Sequence, residues 1–82
     1  MKIKIRYFAS LREAIGTSQE DLDTQALTVG QLRDQLLNMG EKYQCLQRDK
    51  AVRMALNQVM VDESAVLLES AELAFFPPVT GG

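Results

Sequence analysis

Apolar and basic residues alternate along the first segment of the chain, from Lys2 to Ala9. Ile3, Ile5 and Tyr7 fall on one face, and the residues between them are basic. Because successive side chains of a strand point to opposite faces, this pattern predicts a strand with one buried face. Phe8 places an aromatic ring on the basic face, where it either covers the edge of the core or belongs to a contact surface.

Two helices are predicted from capping patterns and from apolar residues at helical spacing. Residues 10–13 have the spacing of a capping box, which predicts a short helix from Leu11 to Ile15 that ends at Gly16. Residues 28–31 have the same spacing and begin a longer helix, from Val29 to Met39. This main helix carries an apolar stripe that we expect to pack on the core, formed by Val29, Leu32, Leu36 and Met39.

Short apolar runs indicate four further strands. A weak polar strand is expected over residues 17–22, where acidic residues suit an exposed sheet edge. Residues 52–56 and 59–61 predict a hairpin that turns at Asn57-Gln58, and Leu67-Leu68 is expected as a buried anchor in the following loop. The last strand, 71–76, is apolar on both faces, which predicts a central position in the sheet.

The order of these elements indicates an α+β roll in which a mixed sheet packs on one main helix. A hairpin, a crossover helix and returning strands fit the β-grasp, or ubiquitin-like, arrangement, in which the first and last strands pair in parallel at the centre. A chain of 82 residues has room for one small core. We therefore predict a β-grasp domain over residues 1–76 and an extended tail over residues 77–82.

Composition narrows the chemistry available to the chain. It has no histidine and one cysteine, which excludes Ser-His and Cys-His nucleophile pairs, an intrachain disulfide and clusters of cysteine or histidine for metals. Nine basic and eleven acidic residues give a net charge of −2, which argues against a nucleic-acid partner. No apolar run approaches the roughly 18–20 residues of a membrane span. The expectation is a cytoplasmic chain that binds no membrane, metal or cofactor.

Several polar features have a plain structural explanation. Glu20, Asp21 and Asp23 are interpreted as a solvated face, because no second ligand group accompanies them. Cys45 is interpreted as a packing or surface thiol, since no histidine or second cysteine is present to activate it. A loose basic group leaves contact with a partner and contact with a phosphate both open: Lys42, Arg48, Lys50 and Arg53.

The segment after the last strand reads Pro-Pro-Val-Thr-Gly-Gly. Pro77 and Pro78 supply no N–H donors, so they end the strand at Phe76 and favour extended backbone. Six residues reach roughly 20 Å at about 3.3 Å each. A Gly81-Gly82 end can enter a channel too narrow for other residues and can bring its carboxylate close to a reacting group. We interpret the tail as functional, and the alternative is a frayed end without function.

The sequence resembles the small subunits of molybdopterin synthase, a family of ubiquitin-like sulfur carriers. The most specific part of the resemblance is the stretch from Leu73 to Gly82. Shorter matching segments are Tyr7-Phe8-Ala9, Leu11-Arg12-Glu13, Gly16-Thr17 and Ala55-Leu56-Asn57-Gln58. Family members often carry Asp-Gly-Asp before the last strand, where this chain has Glu69-Ser70-Ala71-Glu72. That departure alters a turn and leaves the tail intact.

The resemblance implies chemistry at the terminal carboxylate. A separate adenylating enzyme is expected to activate Gly82 with ATP, and sulfur from a sulfurtransferase system then displaces AMP and leaves a thiocarboxylate. The tail, with Gly81 as its narrow neck preceded by Val79 and Thr80, is expected to enter the active site of the large synthase subunit and donate sulfur to a cyclic pyranopterin. The resemblance also implies a two-plus-two assembly with that subunit, and catalytic side chains that belong to the partner.

A partner surface is predicted beside the tail. Phe8 and Phe76 stand opposite the core rows of strands that should be neighbours, so we expect one exposed apolar patch, extended by Pro77 and Pro78. The alternative is that either aromatic ring closes a minor core under the loop after Val61.

Three other functions use the same features. The first is a sulfur carrier for another pathway, such as thiamine synthesis or tRNA thiolation. The second is a ubiquitin-like modifier joined to lysines through Gly82. The third is a β-grasp interaction module with an inert tail. The Phe75-Phe76-Pro77-Pro78 segment favours the molybdopterin pathway.

Overall fold

Five strands form one mixed sheet in the computed structural model, which describes residues 1–78. They are β1 (Lys2–Tyr7), β2 (Gln19–Asp23), β3 (Arg53–Leu56), β4 (Val59–Val61) and β5 (Glu72–Phe76). Their order across the sheet is β2-β1-β5-β3-β4, with β1 and β5 parallel at the centre and the other pairs antiparallel. The predicted α+β roll with paired first and last strands is therefore confirmed.

The core lies on one face of the sheet, as the alternation in β1 predicts. Ile3 and Ile5 are fully buried, and Tyr7 is nearly so. Because Ile5 pairs with Leu73 and Tyr7 pairs with Phe75, the two central strands present one continuous apolar surface. The main helix α2 (Val29–Leu37) contributes three fully buried residues to the same core: Val29, Leu32 and Leu36.

The first helix, α1 (Ala9–Ile15), begins earlier than predicted. Phe8 is still extended because its N–H donates to the carbonyl oxygen of Phe75, and the Phe8 carbonyl then accepts from Leu11. Ser10 therefore lies inside the first turn and cannot cap the helix, so the predicted capping box is wrong. The predicted end is correct, since Gly16 has φ of 94° and its N–H donates to the Arg12 carbonyl.

The second helix begins as predicted and ends early. The Thr28 hydroxyl accepts from the Gln31 N–H, whereas the Gln31 side chain accepts from the Leu27 N–H and not from Thr28. The Asn38 side chain donates to the Asp34 carbonyl and caps the last turn. Met39 consequently lies beyond the helix and is half exposed, so its place in the core stripe was wrongly predicted.

The remaining segments differ from prediction by small shifts. The edge strand β2 starts at Gln19 and not at residue 17. Two short 3₁₀ turns, Glu41–Leu46 and Arg48–Lys50, occupy the polar stretch before β3. The hairpin turn at residues 57–58 is confirmed by positive φ at both positions. Of the predicted anchor pair, Leu67 is buried and Leu68 is exposed. Neither helix of residues 1–78 combines the length and the apolar character needed to cross a membrane.

Candidate functional site

The tail leaves the sheet from its centre. β5 ends at Phe76, after which Pro77 is half-buried and Pro78 is exposed. The predicted neck and carrier positions, Val79, Thr80, Gly81 and Gly82, lie outside the described residues. Because β5 is held on both sides by β1 and β3, the point at which the tail begins is fixed by the sheet.

Phe8 and Phe76 meet on the sheet face opposite the core. Their ring centroids are 4.7 Å apart and the planes differ by 8°, so the rings stack. Both are half-buried, and neither belongs to the core cluster of the described residues. The structure thus brings the two predicted aromatic residues together in one patch, directly before Pro77.

A row of paired residues continues this patch across the sheet. Arg6 pairs with Ala74, Ala74 pairs with Ala55, and Ala55 pairs with Met60, so all four share the outer face. The two small alanines leave a shallow hollow of about 310 Å³ between larger neighbours. We call this surface the outer-face patch, formed by Arg6, Phe8, Arg53, Ala55, Met60, Ala74, Phe76 and Pro77.

Two cations mark the rim of the outer-face patch. The Arg6 guanidinium lies 5.2 Å from the Phe8 ring centroid and 3.5 Å from a Glu72 carboxylate oxygen. Arg53 pairs with Phe76 across the β3–β5 ladder and lines a small hollow with Met60 and Pro77. Because Glu72 lines the same hollow and pairs with Arg6, the basic character of the rim rests on Arg53, which suits an apolar partner surface with an acidic group beside it.

Met60, Ala55 and Ala74 belong to the patch although the sequence pattern does not predict them there. The hairpin prediction was correct, but the pairing of β3 with β5 decides which residues stand beside Phe76. The available signal was the small residue in each of two apolar strands, Ala55 and Ala74, since a small side chain on an outer face leaves a hollow.

Glu20 is not part of the solvated acidic face that the sequence predicts. Its carboxylate accepts hydrogen bonds from the hydroxyls of Tyr7 and Tyr43, each at 2.8 Å. Burial first, and then the Glu20 carboxylate, raise the pKa of both phenols, that of Tyr43 to about 12. Glu20 therefore ties the edge strand β2 to the segment before β3, while Asp21 and Asp23 are exposed as predicted.

Cys45 and Arg48, one member of the basic group, each make identified contacts in the structure. Cys45 is half-buried, its thiol lies 3.5 Å from the Lys42 carbonyl oxygen, and burial raises the thiol pKa, which fits a packing residue. Arg48 forms ion pairs with Asp34 and Glu63, so it joins α2 to the loop after β4. Within residues 1–78 no three His, Cys, Asp or Glu side chains are grouped to hold a metal ion.

Solved structures share this fold over the whole chain. The protein named SAMP1 from Haloferax volcanii has a TM-score of 0.80 at 24% identity, with 100% of both chains covered. A complex of subunits 1 and 2 of the molybdopterin-converting factor from Helicobacter pylori contains a chain with a TM-score of 0.72 at 23% identity, again with 100% of both covered. These likenesses support the β-grasp assignment.

Sequence relatives extend over the same length. A molybdopterin synthase sulfur carrier subunit of Mycobacterium tuberculosis is 42% identical and covers 100% of this chain and 99% of its own. The protein of that name from Escherichia coli is 35% identical, with 98% of this chain and 99% of the relative covered. The model of the ThiS family matches residues 5–82. This chain belongs to the ThiS family.

Proposed function

We propose that this chain is the sulfur carrier of a molybdopterin synthase. The observation that carries the proposal is the full-length similarity, at 35% and 42% identity, to two proteins named for that role. The Gly81-Gly82 end and the fixed exit of the tail from the centre of the sheet fit the same role.

The terminal carboxylate of Gly82 is the reacting group. A carboxylate is a poor electrophile, so an adenylating enzyme first joins it to AMP from ATP and releases pyrophosphate. A sulfur nucleophile then displaces AMP and leaves a thiocarboxylate, which is nucleophilic at neutral pH. A reducing compartment such as the cytoplasm suits this species. The chain itself supplies position and access, because a Gly-Gly end is narrow enough to enter a partner's active site.

The partner is a large synthase subunit in a two-plus-two assembly, which the outer-face patch suits. Its stacked aromatic pair offers a rigid apolar anchor at the root of the tail, of the kind that dominates binding energy at interfaces. Docking there positions the tail, since Pro77 belongs to the patch and the tail follows it directly.

The test is the intact mass of the chain after incubation with ATP, magnesium and clarified lysate of its source organism. We expect the gain that accompanies replacement of one oxygen by sulfur, localised to the C-terminal peptide. The matched control lacks Gly82 and should show no gain. An unchanged mass despite an active adenylating enzyme contradicts the proposal, and isopeptide adducts on lysines favour the modifier role instead.

A second measurement separates the pathways. The sulfur-loaded chain is mixed with the purified large subunit and the cyclic pyranopterin precursor, and formation of the dithiolene is followed in a single turnover. Because each carrier holds one sulfur and a dithiolene needs two, we expect one dithiolene for every two loaded carriers. Loading without transfer, together with a thiamine or tRNA-thiolation defect in cells lacking the chain, assigns the carrier to another pathway.

A further inference from the structure

An open groove of about 480 Å³ lies on the other side of the tail's root from the outer-face patch. It runs between α1 and the two 3₁₀ turns, and Pro77 and Pro78 line it at the point where the described chain ends. The remaining lining residues are Ser10, Leu11, Gln44, Cys45, Gln47, Lys50 and Val52.

The chemistry of this groove changes along its lining. Leu11 and Val52 are buried and provide an apolar floor, with the half-buried Cys45 beside them. Lys50 is exposed and places a cation in the lining. Among residues 1–78, no carboxylate lies within ion-pair distance of that ammonium group. The groove therefore offers an apolar site next to a positive charge.

We propose that this groove binds the chain's own last four residues, Val79 to Gly82. Four residues reach about 13 Å, and they start at the groove because Pro78 already lines it. Val79 is apolar and suits the floor, and the terminal carboxylate suits Lys50. An occupant that is covalently attached also acts at a high effective concentration, which a free peptide lacks.

Docking regulates access to the reacting carboxylate, and this consequence rests on the proposed function. Only the undocked fraction can enter a partner's active site, so docking weakens the apparent affinity for the partner in proportion to the docked population. A partner that also binds the outer-face patch gains contacts that offset this loss of affinity. The groove itself is tested without any sulfur chemistry, so either proposal can fail alone.

The single cysteine provides the probe, because Cys45 lines the groove and no other thiol is present. The rate of alkylation by N-ethylmaleimide is measured by intact mass for the full chain and for a variant that ends at Pro78. We expect the truncated variant to react roughly threefold to tenfold faster, as a mostly docked tail requires. Equal rates overturn the proposal and leave the groove open to a partner segment.

A double-mutant comparison tests the role of Lys50. The same truncation is repeated in the Lys50→Glu background and in Lys2→Glu, an exposed charge control at the start of β1. We expect truncation to accelerate alkylation much less in Lys50→Glu and fully in Lys2→Glu. Equal acceleration in both backgrounds overturns the carboxylate–Lys50 pairing. Unfolding midpoints are measured for every variant, so that changed reactivity is read only where folding is intact.

Discussion

Phe76 can be truncated with less loss of packing than its neighbour Phe75, because its ring contacts Phe8 on the outer face while Phe75 is fully buried in the core. We expect Phe76→Ala to weaken binding of the large subunit roughly tenfold or more, as loss of an aromatic anchor does. The cost in unfolding free energy should be about 2 kcal/mol, from the half-burial of the ring and the stacked pair together. Calorimetric titration and urea unfolding measure the two effects.

Two control substitutions accompany the Phe76→Ala measurement. Phe75→Ala should cost about 3–5 kcal/mol of unfolding free energy, because it empties the core. Val59→Ala removes an exposed apolar side chain that is not part of the outer-face patch, and it should change neither quantity appreciably. Binding by folded Phe76→Ala that is as tight as binding by Val59→Ala would refute the assignment of this ring to an interface.

The hydrogen bonds from Tyr7 and Tyr43 to Glu20 predict how the free energy of unfolding depends on pH. An unfolded tyrosine loses its proton near pH 10, whereas the folded pKa of Tyr43 is raised to about 12 and that of Tyr7 is also raised. Unfolding above pH 10 therefore releases protons, so stability falls as the pH rises from about 10 to 12. Each tyrosine contributes a slope of up to about 1.4 kcal/mol per pH unit.

The variant Tyr43→Phe checks this pH dependence. Urea unfolding between pH 8 and 11.5 should show a shallower decline for the variant, and Tyr7 should account for much of the slope that remains. At pH 8 the variant should be about 1–2 kcal/mol less stable, because one hydrogen bond to the Glu20 carboxylate is lost. Parallel pH profiles for the two chains would contradict the role of Tyr43.

At the scale of elements, the β3–β4 hairpin contains a strained residue. Asn57 and Gln58 have φ of 49° and 71°, the left-handed values that a two-residue hairpin turn requires. Asparagine tolerates this region, and its side chain also accepts from the Glu72 N–H, whereas glutamine has no such compensation in the described contacts. We expect Gln58→Gly to stabilise the chain by about 0.5–1 kcal/mol.

The control for the turn is Gln25→Gly. Gln25 is exposed and has an ordinary negative φ, so glycine there adds only unfolded-state entropy and should lower stability. Urea unfolding of both variants measures the contrast. If Gln58→Gly and Gln25→Gly shift the midpoint in the same direction, positive φ is not the source of the effect.

Elements governed by local chemistry were the ones that sequence predicted well. The alternation of β1, the Thr28 cap, the Gly16 stop and the hairpin each follow from neighbouring residues. The start of α1 was missed because a distant contact decides it: Phe8 is held extended by Phe75 in another strand. Glu20 was misjudged for the same reason, since Tyr43 lies 23 residues away and no local pattern links them. The early end of α2 was missed although it is local, because the apolar spacing that continues to Met39 hid the Asn38 side-chain cap on Asp34.

At the scale of the whole molecule, partner binding and sulfur chemistry are assigned to different parts of the chain, the outer-face patch and the Gly-Gly end. Of the outer-face patch, the aromatic pair and Pro77 could be predicted, whereas its alanine hollow and Met60 depend on strand order. The Gly-Gly end is visible in the sequence directly, and its expected chemistry comes from family resemblance and not from geometry. The central position of β5 connects the two, because it fixes the tail's root beside the patch.

Removal of Gly81 and Gly82 should therefore abolish sulfur loading while it leaves most of the partner binding that Phe76→Ala weakens. We expect the shortened chain to lose no more than about 1.5 kcal/mol of unfolding free energy, because every core residue remains and the tail contributes at most its roughly threefold to tenfold docking equilibrium. It should still bind the large subunit through the outer-face patch, with affinity weakened less than in Phe76→Ala, but it should acquire no sulfur. Urea unfolding, calorimetric titration and intact mass measure these three properties. A shortened chain that acquires sulfur, or that loses binding as completely as Phe76→Ala does, would show that partner binding and sulfur loading are not divided between the patch and the tail.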